Sequence, residues 1–173
     1  MFERSPAWIV IVSILLLPLG LAACGGGKAS LETLVSQGND AMSQGDFEVA
    51  RDYFEQAAGR LVQEEADEAL TFEVKYGLVR CKIREGEADD AKAEFLRLAD
   101  ENPSQATWKK YRSVAGSLRA SDEKPLAIEI LDLGLKKFPD HASDFEADIQ
   151  AIQDEADIDA ETKEKLKKLG YVK

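Results

Sequence analysis

The sequence predicts an all-α protein, an α-solenoid of about three helix–turn–helix repeats closed by a helical C-terminal cap. Three observations predict it. Alanine, leucine, glutamate and lysine dominate, glycine and proline are sparse after residue 27, and β-branched residues do not gather into alternating runs. Apolar residues recur at helical spacing in stretches too short to bury their own faces. One pattern, glycine and an acid followed by alanine and then phenylalanine four places on, returns further down the chain.

Composition narrows the functional classes. A chain of 173 residues suits one medium domain, and 45% hydrophobic with 32% charged residues suits a globular core better than wholesale disorder. The net charge of −11 repels phosphate backbones, so no nucleic acid is expected as a partner. Loss of an N-terminal leader leaves that balance unchanged, because Glu3 and Arg4 cancel.

The first element is a leader. Arg4 precedes an apolar run, Ala7 to Ala23, in which Ser13 is the only polar side chain, and Ala22 and Ala23 precede Cys24. A basic start, an apolar middle and a small-residue end read as a signal peptide over residues 1–23. Leu21-Ala22-Ala23-Cys24 resembles the lipobox of bacterial lipoproteins at all four positions. The resemblance implies cleavage before Cys24, acylation of its thiol and amine, and a lipid-anchored chain with no other cofactor. Two or three acyl chains anchor stably where one does not. An uncleaved anchor helix and an ordinary secretory leader are the alternatives. Gly25, not aspartate, follows the cysteine, a pattern that resembles outer-membrane sorting in enteric-type bacteria and implies a domain facing the periplasm. Residues 24–30 are then the lipidated cysteine and a short flexible tether.

The repeats come next. Leu31, Leu34, Val35, Gly38, Ala41 and Met42 form one helical face, Gly45-Asp46 breaks it with Asp46 as a candidate cap, and Phe47, Ala50, Phe54 and Ala57 form a second. Gly86, Ala91 and Phe95 repeat the second half, as do Ala127 and Leu131, and Pro103 and Pro139 each lie twelve residues after the repeated alanine. These residues resemble the tetratricopeptide repeat over residues 31–64, 72–105 and 108–141, within a repeat region spanning 31–141. Departures are Val62 for the closing proline of the first repeat, Val79, Ala88 and Leu98 at consensus positions of the second, and Gly134 for alanine and Asp122 for the turn glycine of the third. The alanine spacing is 41 and then 36, so extra chain is expected around Leu61–Leu70.

Residues 142–173 read as capping helices. Ser143 and Glu146 suggest a capping box, Phe145, Ile149 and Ile152 form a stripe, and Gly170 is placed to end the last helix with Tyr171 or Val172 folding back.

No catalytic set is legible, and no enzyme is expected. There is no GxxxxGK[ST] loop, and His141 is the only histidine, read as an exposed loop residue. Cys81 between Arg80 and Lys82 is either an activated thiol or a small core residue, with core the commoner case. Asp154, Asp157, Asp159 and Glu161 lack the glycine and glutamate of a calcium loop. The resemblance instead implies a partner-binding groove on the first helices, with Asn39, Tyr76, Arg80, Arg84, Lys109, Arg112 and Arg119 on its surface. Five bases on one face of an acidic protein suit a protein or peptide partner that is acidic or ends in a free carboxylate. The function expected is a membrane-anchored adaptor of the bacterial cell envelope; the alternative is an assembly subunit that uses its convex face and self-associates. The acidic segment from Pro139 to Thr162, without Lys or Arg, is a candidate to fold over the basic groove.

Overall fold

In the computed structural model, residues 29–172 are described; the leader, Cys24 and the glycine tether lie outside them. Eight α-helices follow one another, and no strand occurs among the described residues: α1 (Leu31–Gln44), α2 (Phe47–Ala58), α3 (Glu68–Arg84), α4 (Ala88–Glu101), α5 (Trp108–Ala120), α6 (Lys124–Lys137), α7 (Ala142–Gln153) and α8 (Ala160–Leu169), with a 3₁₀ turn Pro139–His141 before α7. The solenoid expected from the sequence is the architecture observed. Each of α1/α2, α3/α4 and α5/α6 packs as a pair, and α1, α3 and α5 form one layer. Helices α4, α6 and α8 form another, with α7 against α6.

Local chemistry sets the boundaries. Ser30, Asp67 and Asp159 cap α1, α3 and α8 by accepting from the backbone N–H groups of Thr33, Leu70 and Thr162. Asp46 does precede α2, but its carboxylate makes no capping bond, and its carbonyl accepts from Ala50 instead. The Ser143–Glu146 box does not form. Pro139 opens a 3₁₀ turn that runs directly into α7, so Ser143 already lies inside the first turn. Asp122 takes the left-handed conformation expected of the turn glycine, at φ 64°. The extra chain between the first two repeats is a hydrogen-bonded run of turns over residues 59–65, two linking residues and an α3 that starts early.

Close packing explains the glycines. The Phe54 ring sits between Gly38 of α1 and Gly77 of α3; a Cβ at either would fall 2.8 or 2.4 Å from it. Gly134, where the repeat has alanine, gives its space to Phe145 of α7, whose ring would meet a Cβ at 2.4 Å. Phe145, Ile149 and Ile152 are all buried against α6. At the far end Gly170 turns left-handed, the Tyr171 N–H bonds the Leu166 carbonyl, and the Tyr171 hydroxyl donates to Asp132 at 3.0 Å. Burial, helped by Asp132, pushes that phenol up to about 12.

Candidate functional site

The first-helix layer carries the predicted groove residues, and the structure sorts them into three groups. Tyr76 is the first. Its ring is only 4% exposed, stacked on Phe72 with centroids 5.9 Å apart. Lys110, bonded to Glu73 at 2.7 Å, lies over the same ring at 4.2 Å. Tyr76 is therefore a core residue roofed by an ion pair and does not form groove surface. Burial raises its phenol.

Arg112 and Arg119 of α5 form the second group; acids of α7 neutralise the first, and Glu155, just past the end of α7, neutralises the second. Arg112 grips Asp148 with two nitrogens, at 2.6 and 2.9 Å, and reaches Asp144 at 3.1 Å. The Asp148 hydrogen bond is the main reason its guanidinium stays firmly charged. Arg119 bonds Glu155 at 2.5 Å, and Lys124 shares that carboxylate at 3.4 Å. Between these bridges lies a cleft of about 320 Å³ floored by Ala115, Gly116, Leu131 and Ile152. A Cβ on Gly116 would meet nothing within 4 Å, so the cleft is open there. The acidic segment thus runs beside α5 and takes two of the five bases; it does not cover the rest of the layer.

Asn39, Arg80, Arg84 and Lys109 make the third group. Arg80 and Arg84 pair with no carboxylate among the described residues. Arg80 donates to the Asn39 side-chain oxygen at 3.4 Å and lies 5.8 Å from the Tyr76 ring. Arg84 sits over Phe47 at 4.9 Å and reaches Ser121 at 3.4 Å. The Nε of each is buried with no hydrogen-bond partner. These guanidiniums are held in place by aromatic faces while their charge stays uncompensated. Lys109 is exposed, with its ammonium 5.5 Å from the Trp108 ring.

Sequence reasoning missed Lys110, and it read the acidic segment as a candidate to fold over the groove without assigning Asp144 and Asp148 to Arg112 or Glu155 to Arg119. A signal for them existed. Glu73–Lys110, Arg112–Asp148 and Arg119–Glu155 are separated by 37, 36 and 36 residues, close to the repeat spacing read from the alanines. Carrying that spacing past residue 141 puts the acids beside the arginines.

The remaining candidates are structural. Cys81 is buried against Met42, with sulfurs 3.8 Å apart, and burial pushes its thiol up to about 11, the opposite of activation. His141 is half-buried and stacked on Trp108 at 4.2 Å, not the open loop residue expected. Asp159 spends both carboxylate oxygens on Thr162. Among the described residues no group of three His, Cys, Asp or Glu could hold a metal ion, and no helix is long and apolar enough to cross a membrane.

Stacked helix pairs with a basic first-helix face define an α-solenoid. Residues 41–113, from the end of α1 into α5, match the tetratricopeptide repeat family model. That family is generally a non-enzymatic scaffold for protein–protein interaction. No curated protein and no solved structure matches the chain.

Proposed function

We propose that the protein is a lipid-anchored, non-enzymatic adaptor of the bacterial cell envelope. Acyl chains on Cys24 hold it to the membrane, with the outer membrane facing the periplasm as the proposed site, and the first-helix layer binds an acidic or carboxylate-terminated segment of a partner protein. The observation that carries the binding reading is the pair Arg80 and Arg84: two guanidiniums oriented on aromatic rings, beside Asn39, without a carboxylate of their own. An orphan charge cluster in a protein of net charge −11 attracts an acidic ligand and rejects a basic one.

Crosslinked capture of partners from native membranes tests this reading. Replacing Arg80 and Arg84 together by glutamine should abolish capture of the partner held by the wild type, and that capture should weaken as salt rises. Capture that is indifferent to both would overturn the groove assignment. Cys24→Ser should release the folded domain from the membrane, and a variant retained as before would refute the lipid anchor.

A further inference from the structure

An exposed apolar feature of the described surface lies away from the groove, on the connection between α2 and α3. Val62, which stands where the repeat has its closing proline, is 91% exposed, the most exposed large hydrophobic side chain. With Ala58, Leu61, Ala66 and Leu78 it lines a shallow, open depression of about 600 Å³, mostly apolar but shared with Glu65 and Lys75. The connection is not loose. Arg60 bonds Glu64 at 2.6 Å, Leu61 and Ala66 pack on the core, and the Ala66 N–H bonds the Leu61 carbonyl. The fold therefore holds Val62 outward.

Where the chain enters gives this patch its meaning. Arg60 also donates to the Ala29 carbonyl at 2.6 Å, so the described chain begins directly against this connection. Cys24 is five residues earlier, and five extended residues span at most about 18 Å. We propose that the 59–67 connection is a second membrane contact, seating Val62 among the headgroups and acyl boundary of the bilayer in which the chain is anchored. The proposal rests on the anchoring reading above. One valine would not bring a free domain to a membrane, but a short tether raises the local concentration so far that a weak contact suffices to orient it. The neighbouring acids Glu64, Glu65, Asp67 and Glu68 outnumber the bases Arg60 and Lys75, so zwitterionic headgroups fit better than anionic ones. In this pose α1 starts at the membrane, and the Gly45–Asp46 turn at its other end stands about 20 Å away.

The test uses the full lipidated protein in vesicles of zwitterionic phospholipid carrying a headgroup-level nitroxide lipid. Val62→Cys takes an environment-sensitive fluorophore; Val49→Cys, at a 48% exposed valine on the opposite end of α2, is the control. Buried Cys81 does not compete for label. The label at 62 should be quenched by the nitroxide several-fold more than the label at 49, be shielded from aqueous iodide, and lose that difference when anionic lipid is added. Equal, water-like behaviour at both positions in protein that floats with the vesicles would overturn the contact and leave the anchor intact. Protein that does not float, with no acyl mass on Cys24, would overturn the anchor and the contact together.

Discussion

Arginines on α3 and α5 occupy one layer of the solenoid, yet their circumstances differ. Arg112 meets acids of α7, Arg119 meets Glu155 in the connection after it, and these pairs hold the last helices against the third repeat. Arg80 and Arg84 look across at Asn39, Ser121 and aromatic rings, and no acid among the described residues answers them. The cause is the next repeat along. What a residue on one first helix does is set by the residue about 36 places away on its neighbour. A basic stripe is therefore uncompensated at one end of the layer and an internal ion-pair ladder at the other.

The comparison can be broken hardest from the packing beneath it. Phe145 keeps α7 seated through Gly134, so Phe145→Ala should cost about 3–5 kcal/mol in denaturant unfolding. It should also loosen α7, leaving Arg112 and Arg119 as unpaired as Arg80 and Arg84. Hydrogen exchange should show α7 and α8 opening first. A loss spread evenly over all eight helices would mean that the C-terminal pairing is not a separate feature.

Charge removal separates the two regions next. Arg112→Gln leaves Asp144 and Asp148 facing each other without a cation and should cost about 1 kcal/mol. Arg80→Gln removes an uncompensated charge and should change stability by less than about 0.5 kcal/mol. Equal costs in parallel denaturation curves would erase the distinction.

A pH titration sharpens the same point on the other layer. Partial burial pushes the Glu129 carboxyl up, but hydrogen bonds from Lys165 and Lys92 more than reverse this and hold it below its usual range. Its contribution is then fully present above the unfolded value of about 4.3 and is lost as pH falls through the lower folded value. Glu129→Gln should flatten the loss of stability below about pH 4, where wild type keeps falling. An unchanged acid limb would mean that the α4–α6–α8 ladder contributes nothing. The smallest effect expected is at the turn: Asp122→Gly relieves a left-handed aspartate and should stabilise by up to about 1 kcal/mol, read as a shift in denaturation midpoint.

Much of this architecture was legible because it is local. Helix faces, the Gly45 break, the helix-ending glycine at 170 and the stripe Phe145, Ile149 and Ile152 follow from spacing within one or two turns. The departures from the repeat pattern make sense only in three dimensions. Gly134 is glycine because Phe145 fills the space an alanine would use, and Asp122 accepts a backbone geometry that glycine usually takes. The candidate site was legible as a face, and the acidic 139–162 segment as a candidate to cover it, but not as individual charge pairs. Tyr76 was expected on the surface because its helical position points there; Lys110 and Glu73, one from the following repeat, close over it. The capping box at Ser143 failed for a local reason, a proline-led turn that started the helix earlier.

The central claim, that α3 presents its charge and α5 spends it internally, is tested most directly by one paired experiment. Partner capture from native membranes is measured for Arg80→Gln with Arg84→Gln, and for Arg112→Gln with Arg119→Gln, with folding of both double variants confirmed by circular dichroism. The account predicts that the α3 pair loses capture while the α5 pair retains it at reduced stability. Capture lost equally by both, or only by the α5 pair, would contradict it.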